Sequence, residues 1–136
     1  MAEGGHQRGL IDTSVVIELE RLDAVALPVE VAISSITLAE LAAGPHAARD
    51  AAECARRQER LQLAEATFEA LAFDSKAARA YGRIYSAVAA AGRKARGGRA
   101  VDLLIAATAL AADLPLYTRD AEGFRVLTGL LEVVAV

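Results

Sequence analysis

The 136-residue sequence has one cysteine, Cys54, no tryptophan, and only 4% aromatic residues. A single cysteine excludes an intrachain disulfide and is typical of a reducing compartment, so a cytoplasmic location is expected. The apolar runs are much shorter than the roughly 20 residues that span a bilayer, which argues against a membrane protein. Residues 1–8 lack the apolar segment of a secretory signal. They are predicted to form a flexible tail before a single domain over residues 9–136.

The sequence also lacks an excess of basic residues. Its 15 lysines and arginines are outnumbered by 18 acidic residues, and the formal net charge is −3. Proteins that coat nucleic acid generally carry strong positive charge, so the composition argues against that class. It leaves room for an enzyme that meets nucleic acid through bound divalent cations, and such an enzyme needs several carboxylates in one place.

Hydrophobic residues make up 54% of the chain, a composition that favours helices packed on a small buried sheet. Apolar stretches predict strands over residues 9–11, 29–33, 71–73, 116–117 and 130–134. Helical segments are predicted between them, over residues 15–19, 36–43, 47–70, 76–91 and 100–112. This alternation predicts an α/β fold in which a parallel sheet of four to five strands is covered by helices on both faces.

Four carboxylates occupy positions that such a fold would bring to one edge of its sheet. Asp12 and Asp120 follow predicted strands, whereas Glu40 and Asp102 are placed in the first turns of helices that start at the same edge. In open α/β sheets this is the edge where ligands bind. Four neighbouring carboxylates repel one another unless cations hold them. A ligand set with only oxygen atoms suits one or two Mg²⁺ or Mn²⁺ ions.

Three of these acids also have a structural explanation. Asp12 is suited to cap the helix that follows it, and Thr37 with Glu40 forms a capping-box pattern. Asp102, near the start of a helix, would interact favourably with the helix dipole. The agreement of all four positions favours a shared site over separate caps.

Two groups of basic residues are notable. The first lies in a glycine-rich segment just before Asp102 and comprises Arg93, Lys94, Arg96 and Arg99. This segment is either a helix cap with a solvated linker or a flexible loop that contacts phosphates beside an active site. The second group lies in the long helix over residues 47–70, where Arg56, Arg57, Glu59 and Arg60 form a solvated or partner-facing side.

Four segments together resemble the signature blocks of PIN-domain proteins, and are most similar to those of VapC-type toxins of bacterial toxin–antitoxin pairs. They are residues 10–14 (LIDTS), 36–41 (ITLAEL), 101–110 (VDLLIAATAL) and 114–120 (LPLYTRD). The blocks follow in the expected order, and the resemblance covers nearly the whole chain from Gly9. It implies a three-layer α/β/α fold and a Mg²⁺- or Mn²⁺-dependent endoribonuclease that cuts structured RNA such as transfer or ribosomal RNA.

The resemblance also implies partners and residue roles. It predicts a homodimer that a cognate VapB-type antitoxin holds inactive by placing its tail in the acidic site. Asp12, Glu40, Asp102 and Asp120 match the metal-binding catalytic acids. Ser14 and Thr118 match hydroxyls that support these acids or face phosphate, and the basic segment with Arg93, Lys94, Arg96 and Arg99 would hold the RNA backbone. Because many family members have asparagine at the position of Asp120, Glu122 is an alternative fourth acid.

Three other functions compete with this interpretation. A receiver-type signalling module of similar size would be phosphorylated at Asp74, but it needs a lysine after a late strand where this chain has Arg119. A catalytically silent PIN module could bind RNA or antitoxin without cutting. A nuclease directed at DNA is the third alternative, because the sequence shows no group that would read the 2′-hydroxyl of RNA.

Overall fold

A computed structural model describes residues 6–93 and 98–136. Five parallel strands form one sheet in the order β3-β2-β1-β4-β5, so the first strand is central. The strands are β1 (Arg8–Ile11), β2 (Glu30–Ser34), β3 (Glu69–Leu71), β4 (Leu116–Thr118) and β5 (Val133–Ala135). The helices are α1 (Thr13–Ile17), α2 (Ser35–Ala43), α3 (Ala51–Thr67), α4 (Ser75–Ala90) and α5 (Gly98–Ala111). Short 3₁₀ turns span Leu19–Arg21, Ala24–Ala26, Gly44–Ala47 and Ala121–Leu127.

Side chains that alternate along the central strands build one hydrophobic core on each face of the sheet. Leu10 and Leu116 pack with α4 and α5 on one face. Ile11 and Tyr117, the next residues along the same strands, pack with α1, α2 and α3 on the other. The predicted three-layer α/β/α architecture is therefore confirmed. Within the described part of the chain, none of the helices has the length and apolar character needed to cross a membrane.

The predicted element boundaries differ from the observed ones by a few residues. β3 begins two residues before the predicted strand, and β5 spans Val133–Ala135 instead of residues 130–134. The single helix predicted over residues 47–70 is wrong at its start, because the chain first forms the 3₁₀ turn Gly44–Ala47. Asp50 then caps α3 by accepting a hydrogen bond from the Glu53 backbone N–H at 2.8 Å. Such a cap supplies a partner for an N–H that the first helical turn leaves free.

The residues before β1 lie against the sheet. The carbonyl oxygens of His6 and Gln7 accept hydrogen bonds from the backbone N–H groups of Val29 and Glu30, at 3.2 and 2.8 Å. The His6 ring lies 2.9 Å from a carboxylate oxygen of Glu132. Residues 6–8 therefore belong with the sheet rather than with the predicted tail, whose first five residues lie outside the described part.

Tyr117 fills the centre of the sheet. Its side chain is fully buried, and a Cβ added to Gly9 would come within 2.7 Å of the tyrosine ring, so only a glycine lets β1 pass this close. Burial raises the pKa of Tyr117. Its hydroxyl has no well-formed hydrogen bond to any residue that the structure describes.

Candidate functional site

The four acids lie at the edge of the sheet where β1 and β4 end. These strands are parallel neighbours, and Ile11 is paired with Tyr117. Asp12 directly follows β1, and its backbone N–H donates to the Tyr117 carbonyl at 3.0 Å. Asp120 is the second residue after β4. Their shared location follows from the parallel pairing, because the carboxyl ends of parallel strands meet at the same edge.

Glu40 and Asp102 reach this edge from helices, as predicted, but they do not lie in the first turns of those helices. α2 begins at Ser35 and α5 at Gly98, so neither acid lies in the first turn of its helix. The capping-box interpretation of Glu40 is wrong as well. The hydroxyl of Ser34 caps α2 by accepting from the Ile36 N–H at 3.0 Å, because the helix starts before Thr37.

Asp12 acts as a helix cap and is also buried at the acidic edge. Its side chain is 5% exposed, and its Oδ1 accepts hydrogen bonds from the Val15 N–H at 3.1 Å and the Ser14 hydroxyl at 2.6 Å. Both bonds fall on one carboxylate oxygen, which leaves Oδ2 for other partners. The Ser14 hydroxyl in turn accepts from the Arg119 N–H at 3.1 Å. Ser14 thus supports Asp12 and joins α1 to the end of β4.

A chain of hydroxyl groups holds Glu40. The Thr13 hydroxyl donates to Glu40 Oε1 at 2.5 Å and lies 2.9 Å from the buried hydroxyl of Thr37. A hydroxyl has only one proton, so Thr37 donates to Thr13 when Thr13 donates to Glu40. The sequence offered no specific signal for this role of Thr13 beyond its place beside Asp12.

The electrostatics of Asp102 show that the four carboxylates act on one another. Burial, and next to it the charge of Asp12, raises the pKa of Asp102 from 3.8 to about 6. The guanidinium of Arg99 opposes this shift, whereas Glu40 and Asp120 add to it. All three other acids therefore lie close enough to disfavour a negative charge on Asp102, as expected for like charges gathered in a partly buried site.

Asp120 is the fourth acid of this group. Its Oδ1 accepts from the Gly123 N–H at 3.2 Å, and its own N–H donates to the buried Thr118 hydroxyl at 3.0 Å. Glu122, the alternative, is exposed and paired with Arg125 at 3.2 Å. It is not among the groups that shift the pKa of Asp102. The structure therefore favours Asp120 over Glu122.

Sequence reasoning missed Gly123. A Cβ at this position would overlap Asp120 Oδ2 and lie 3.2 Å from Arg99 Nη1. The absence of a side chain at this position therefore leaves room for both the carboxylate and the guanidinium beside the first residues of the Ala121–Leu127 turn. Its place three residues after Asp120 was the available signal, since a capping Asp accepts from the N–H at that distance.

The basic segment is only partly described. Arg99 lies among the acids, and its guanidinium carbon is 5.3 Å from the centre of the Phe124 ring. Arg93 is exposed just after the end of α4. Lys94 and Arg96, which were predicted to hold an RNA backbone with these two, lie outside the described residues.

Asp74, the phosphorylation site of the receiver alternative, has a structural role. It caps α4 by accepting from the Ala77 N–H at 2.9 Å. It follows β3, which lies at the border of the sheet, two strands away from β1. Asp74 is also not among the groups that shift the pKa of Asp102. The receiver interpretation therefore has no structural support.

The donor set fits a hard divalent cation. Carboxylate oxygens are the ligands that Mg²⁺ and Mn²⁺ prefer, and a cation would relieve the repulsion that raises the pKa of Asp102. In residues 6–93 and 98–136, no three His, Cys, Asp or Glu side chains are already arranged to share one ion.

Comparison with known proteins gives consistent results. The family model described as PIN domain matches residues 9–130. Ribonuclease VapC5 of Mycobacterium tuberculosis is 38% identical over 128 residues, which cover 92% of this chain and 91% of that protein. Ribonuclease VapC8 of the same species is 39% identical over 110 residues, or 80% of this chain and 96% of that protein.

A solved structure matches as well. The crystal structure of VapBC-5 from Mycobacterium tuberculosis, a member of the VapBC family of toxin–antitoxin systems, superimposes with a TM-score of 0.84 and 37% identity. The match covers 96% of this chain and 99% of that chain. The sequence and the fold agree, and the chain belongs to the PIN-domain family, among its VapC-type members.

Proposed function

We propose that this chain is the toxin of a type II toxin–antitoxin pair, an endoribonuclease that hydrolyses phosphodiester bonds in structured RNA and so inhibits translation and growth. Transfer or ribosomal RNA is the substrate class that the family resemblance implies. The observation that carries the proposal is the convergence of Asp12, Glu40, Asp102 and Asp120, reflected in the raised pKa of Asp102. Similarity to a protein named Ribonuclease VapC over 92% of the chain supports it.

We also propose that the four acids bind Mg²⁺ or Mn²⁺, as one or two ions. A bound ion of this kind lowers the pKa of water and neutralises charge that develops on a scissile phosphate. Above about pH 6 Asp102 is mostly ionised and can join the other acids in binding a cation. The acids would hold the ion, and no side-chain nucleophile is needed.

The remaining groups of the site position the acids and the substrate. Ser14 and the Val15 N–H fix Asp12, and the hydroxyl chain through Thr13 orients Glu40. Arg99 supplies a cation among the acids that can contact a phosphate. In this mechanism water attacks phosphorus in line, and the resemblance predicts products with a 5′-phosphate and a 3′-hydroxyl.

The proposal includes partners. A cognate VapB-type antitoxin would neutralise the toxin, and the match to a VapBC toxin–antitoxin structure supports this pairing. The toxin would act in the cytoplasm as a homodimer and assemble with antitoxin into a larger complex. Light scattering of the purified chain, alone and with a co-expressed VapB-type antitoxin, tests both assemblies.

Cleavage of total bacterial RNA by purified, antitoxin-free protein tests the activity. The reaction contains Mg²⁺, Mn²⁺ or EDTA, and Asp12→Asn and Asp102→Asn variants are run in parallel. Glu65→Gln, an exposed carboxylate on α3, is the matched control. We expect discrete cuts that disappear with EDTA and with both aspartate variants but remain with the control. Mapping the fragment ends then identifies the target.

Other outcomes would contradict parts of the proposal. A folded wild type that binds RNA or antitoxin but cuts in no metal would be a silent binding module. Equal cleavage of single-stranded DNA would indicate a nuclease without RNA specificity. Cleavage unaffected by both aspartate substitutions would show that the wrong residues have been chosen, or that a contaminating nuclease is present.

A further inference from the structure

A cleft of about 540 Å³ adjoins the acidic edge. Thr13 and Glu40 form the end that it shares with the acids, and arginines of α3 form part of its lining. Its volume lies within the range of pockets that hold small ligands or a part of a larger one. The sequence indicated only a solvated or partner-facing side for this stretch of α3.

The arginines in the cleft differ in their interactions. The Arg57 guanidinium already has partners within the protein, since it pairs with Glu53 at 2.5 Å and donates to the Gly44 carbonyl at 2.9 Å. Arg56 and Arg60 have no carboxylate within ion-pairing distance among the described residues. They are four residues apart on α3, a spacing at which like charges on a helix repel. Two unneutralised cations thus line the cleft on adjacent helical turns.

The cleft also has an apolar part. Ile17 and Leu41 contribute to its lining, and Ile17 is 45% exposed although it is a large hydrophobic residue. A surface that combines guanidinium groups with an apolar patch can contact both the phosphate and the base of an unpaired nucleotide. A peptide with acidic side chains only would use the arginines but would leave the apolar part without a partner.

The charge of the acidic edge explains why such a surface is needed there. Four carboxylates repel a polyanionic substrate, and the chain as a whole carries a net charge of −3. Arg99 provides positive charge beside Asp102. The cleft provides positive charge beside Glu40, so a nucleic-acid strand that contacts the acids would meet cations near both Asp102 and Glu40.

We propose that this cleft, lined by Arg56, Arg60 and Ile17, is a subsite that binds an unpaired nucleotide of the RNA, next to the bond that is cleaved. The arginines contact its phosphate, and Ile17 packs against its base. This inference rests on the proposed ribonuclease function for the identity of the ligand. The cleft itself is defined by geometry that does not depend on cleavage.

Binding is measured in an Asp12→Asn background, so that cleavage does not interfere. The probe is a fluorescein-labelled single-stranded oligoribonucleotide of mixed sequence in Mg²⁺, and the readout is fluorescence anisotropy as a function of salt. The test variant is Arg56→Gln/Arg60→Gln. The matched control is Arg79→Gln/Arg83→Gln, an exposed pair on α4 with the same spacing and charge change.

We expect the Arg56→Gln/Arg60→Gln variant to bind the RNA about tenfold more weakly. The slope of its log binding constant against log salt concentration should be less negative by about one to two. Ile17→Ala should weaken binding about two- to fivefold without changing the salt dependence, because it removes apolar contact only. In cleavage assays with Asp12 intact, the arginine variant should raise KM with little change in kcat. The control pair should match the parent in each assay.

Other outcomes would overturn the inference. Equal effects of the two arginine pairs would mean that total charge alone matters. Loss of binding to a labelled poly-glutamate peptide, with RNA binding intact, would assign the cleft to an acidic protein segment. If RNA is cleaved and the cleft variants behave as the parent, only the subsite is wrong. If RNA is not cleaved but the cleft variants lose binding, the subsite stands and the proposed activity falls.

Discussion

Replacing Asp102 by asparagine should stabilise the metal-free protein while removing an acid from the site. Burial and the charge of Asp12 raise the pKa of Asp102 from 3.8 to about 6. Between these two pH values the folded protein binds more protons than the unfolded protein, because the pKa of this carboxyl group is higher in the folded state. The free energy of unfolding therefore falls as the pH rises from 3.8 to about 6. At neutral pH the destabilisation by the ionised carboxylate has reached its full value, and replacement by asparagine removes it.

The magnitude follows from the pKa and the exposure of the site. A rise from 3.8 to about 6 corresponds to an upper limit of about 3 kcal/mol. Asp102 is only partly buried, so solvent screening reduces the expected gain to about 1 kcal/mol. For a domain of this size, that gain raises the melting temperature by roughly 3–5 °C.

Thermal unfolding in EDTA at low salt, followed by circular dichroism, measures this effect. Asp102→Asn should melt higher than the wild type well above pH 6, and the difference should shrink towards pH 3.8 and in high salt. Glu65→Gln on α3 should show no difference. Added Mg²⁺ should stabilise the wild type more than the variant. A variant that melts at or below the wild-type temperature at neutral pH, or whose gain does not depend on pH, would refute the reasoning.

Three further substitutions test the packing and the site. Gly9→Ala should destabilise the protein by about 1–3 kcal/mol in urea unfolding, because its Cβ would come within 2.7 Å of the Tyr117 ring; an unchanged midpoint would mean that the ring can move aside. Tyr117→Phe should be neutral or stabilising by up to about 1 kcal/mol, since it removes a buried hydroxyl without a partner among the described residues. A clear loss of stability would instead show that the hydroxyl has a hydrogen-bond partner. Gly123→Ala should displace the Asp120 carboxylate, weaken Mg²⁺ binding in calorimetry, and lower stability by about 1 kcal/mol through the lost cap. Mg²⁺ affinity equal to that of the wild type would exclude Asp120 from the ion site.

Local patterns in the sequence were enough to predict the layered fold. Short apolar strands alternate with helical segments, and the connections between parallel strands need such helices. Strong local signals were also interpreted correctly in detail. Asp12 was predicted to be suited to cap the helix that follows it, and its side chain accepts from the Val15 N–H at 3.1 Å. The local signal was weaker where helices begin, and α3 and α5 both start at residues other than those predicted.

The four acids were predicted from their positions relative to strands and helices, because the topology of a parallel sheet brings such positions to one edge. How each acid is held could not be predicted. Thr13 reaches Glu40 across 27 residues, and Ser14 accepts from the Arg119 N–H across 105. These contacts depend on the order of the strands and on the rotation of each helix, which no local segment determines.

The sequence by itself determined the class of fold and the family and predicted the four acids, since each depends on residue type and spacing along the chain. Only the tertiary structure decided that β1 lies between β2 and β4, that the pKa of Asp102 rises, and that Arg56 and Arg60 line a cleft beside Glu40. The physical reason is that electrostatic interactions and surface shape depend on distances in space. Those distances arise when segments far apart in the chain pack around two shared cores.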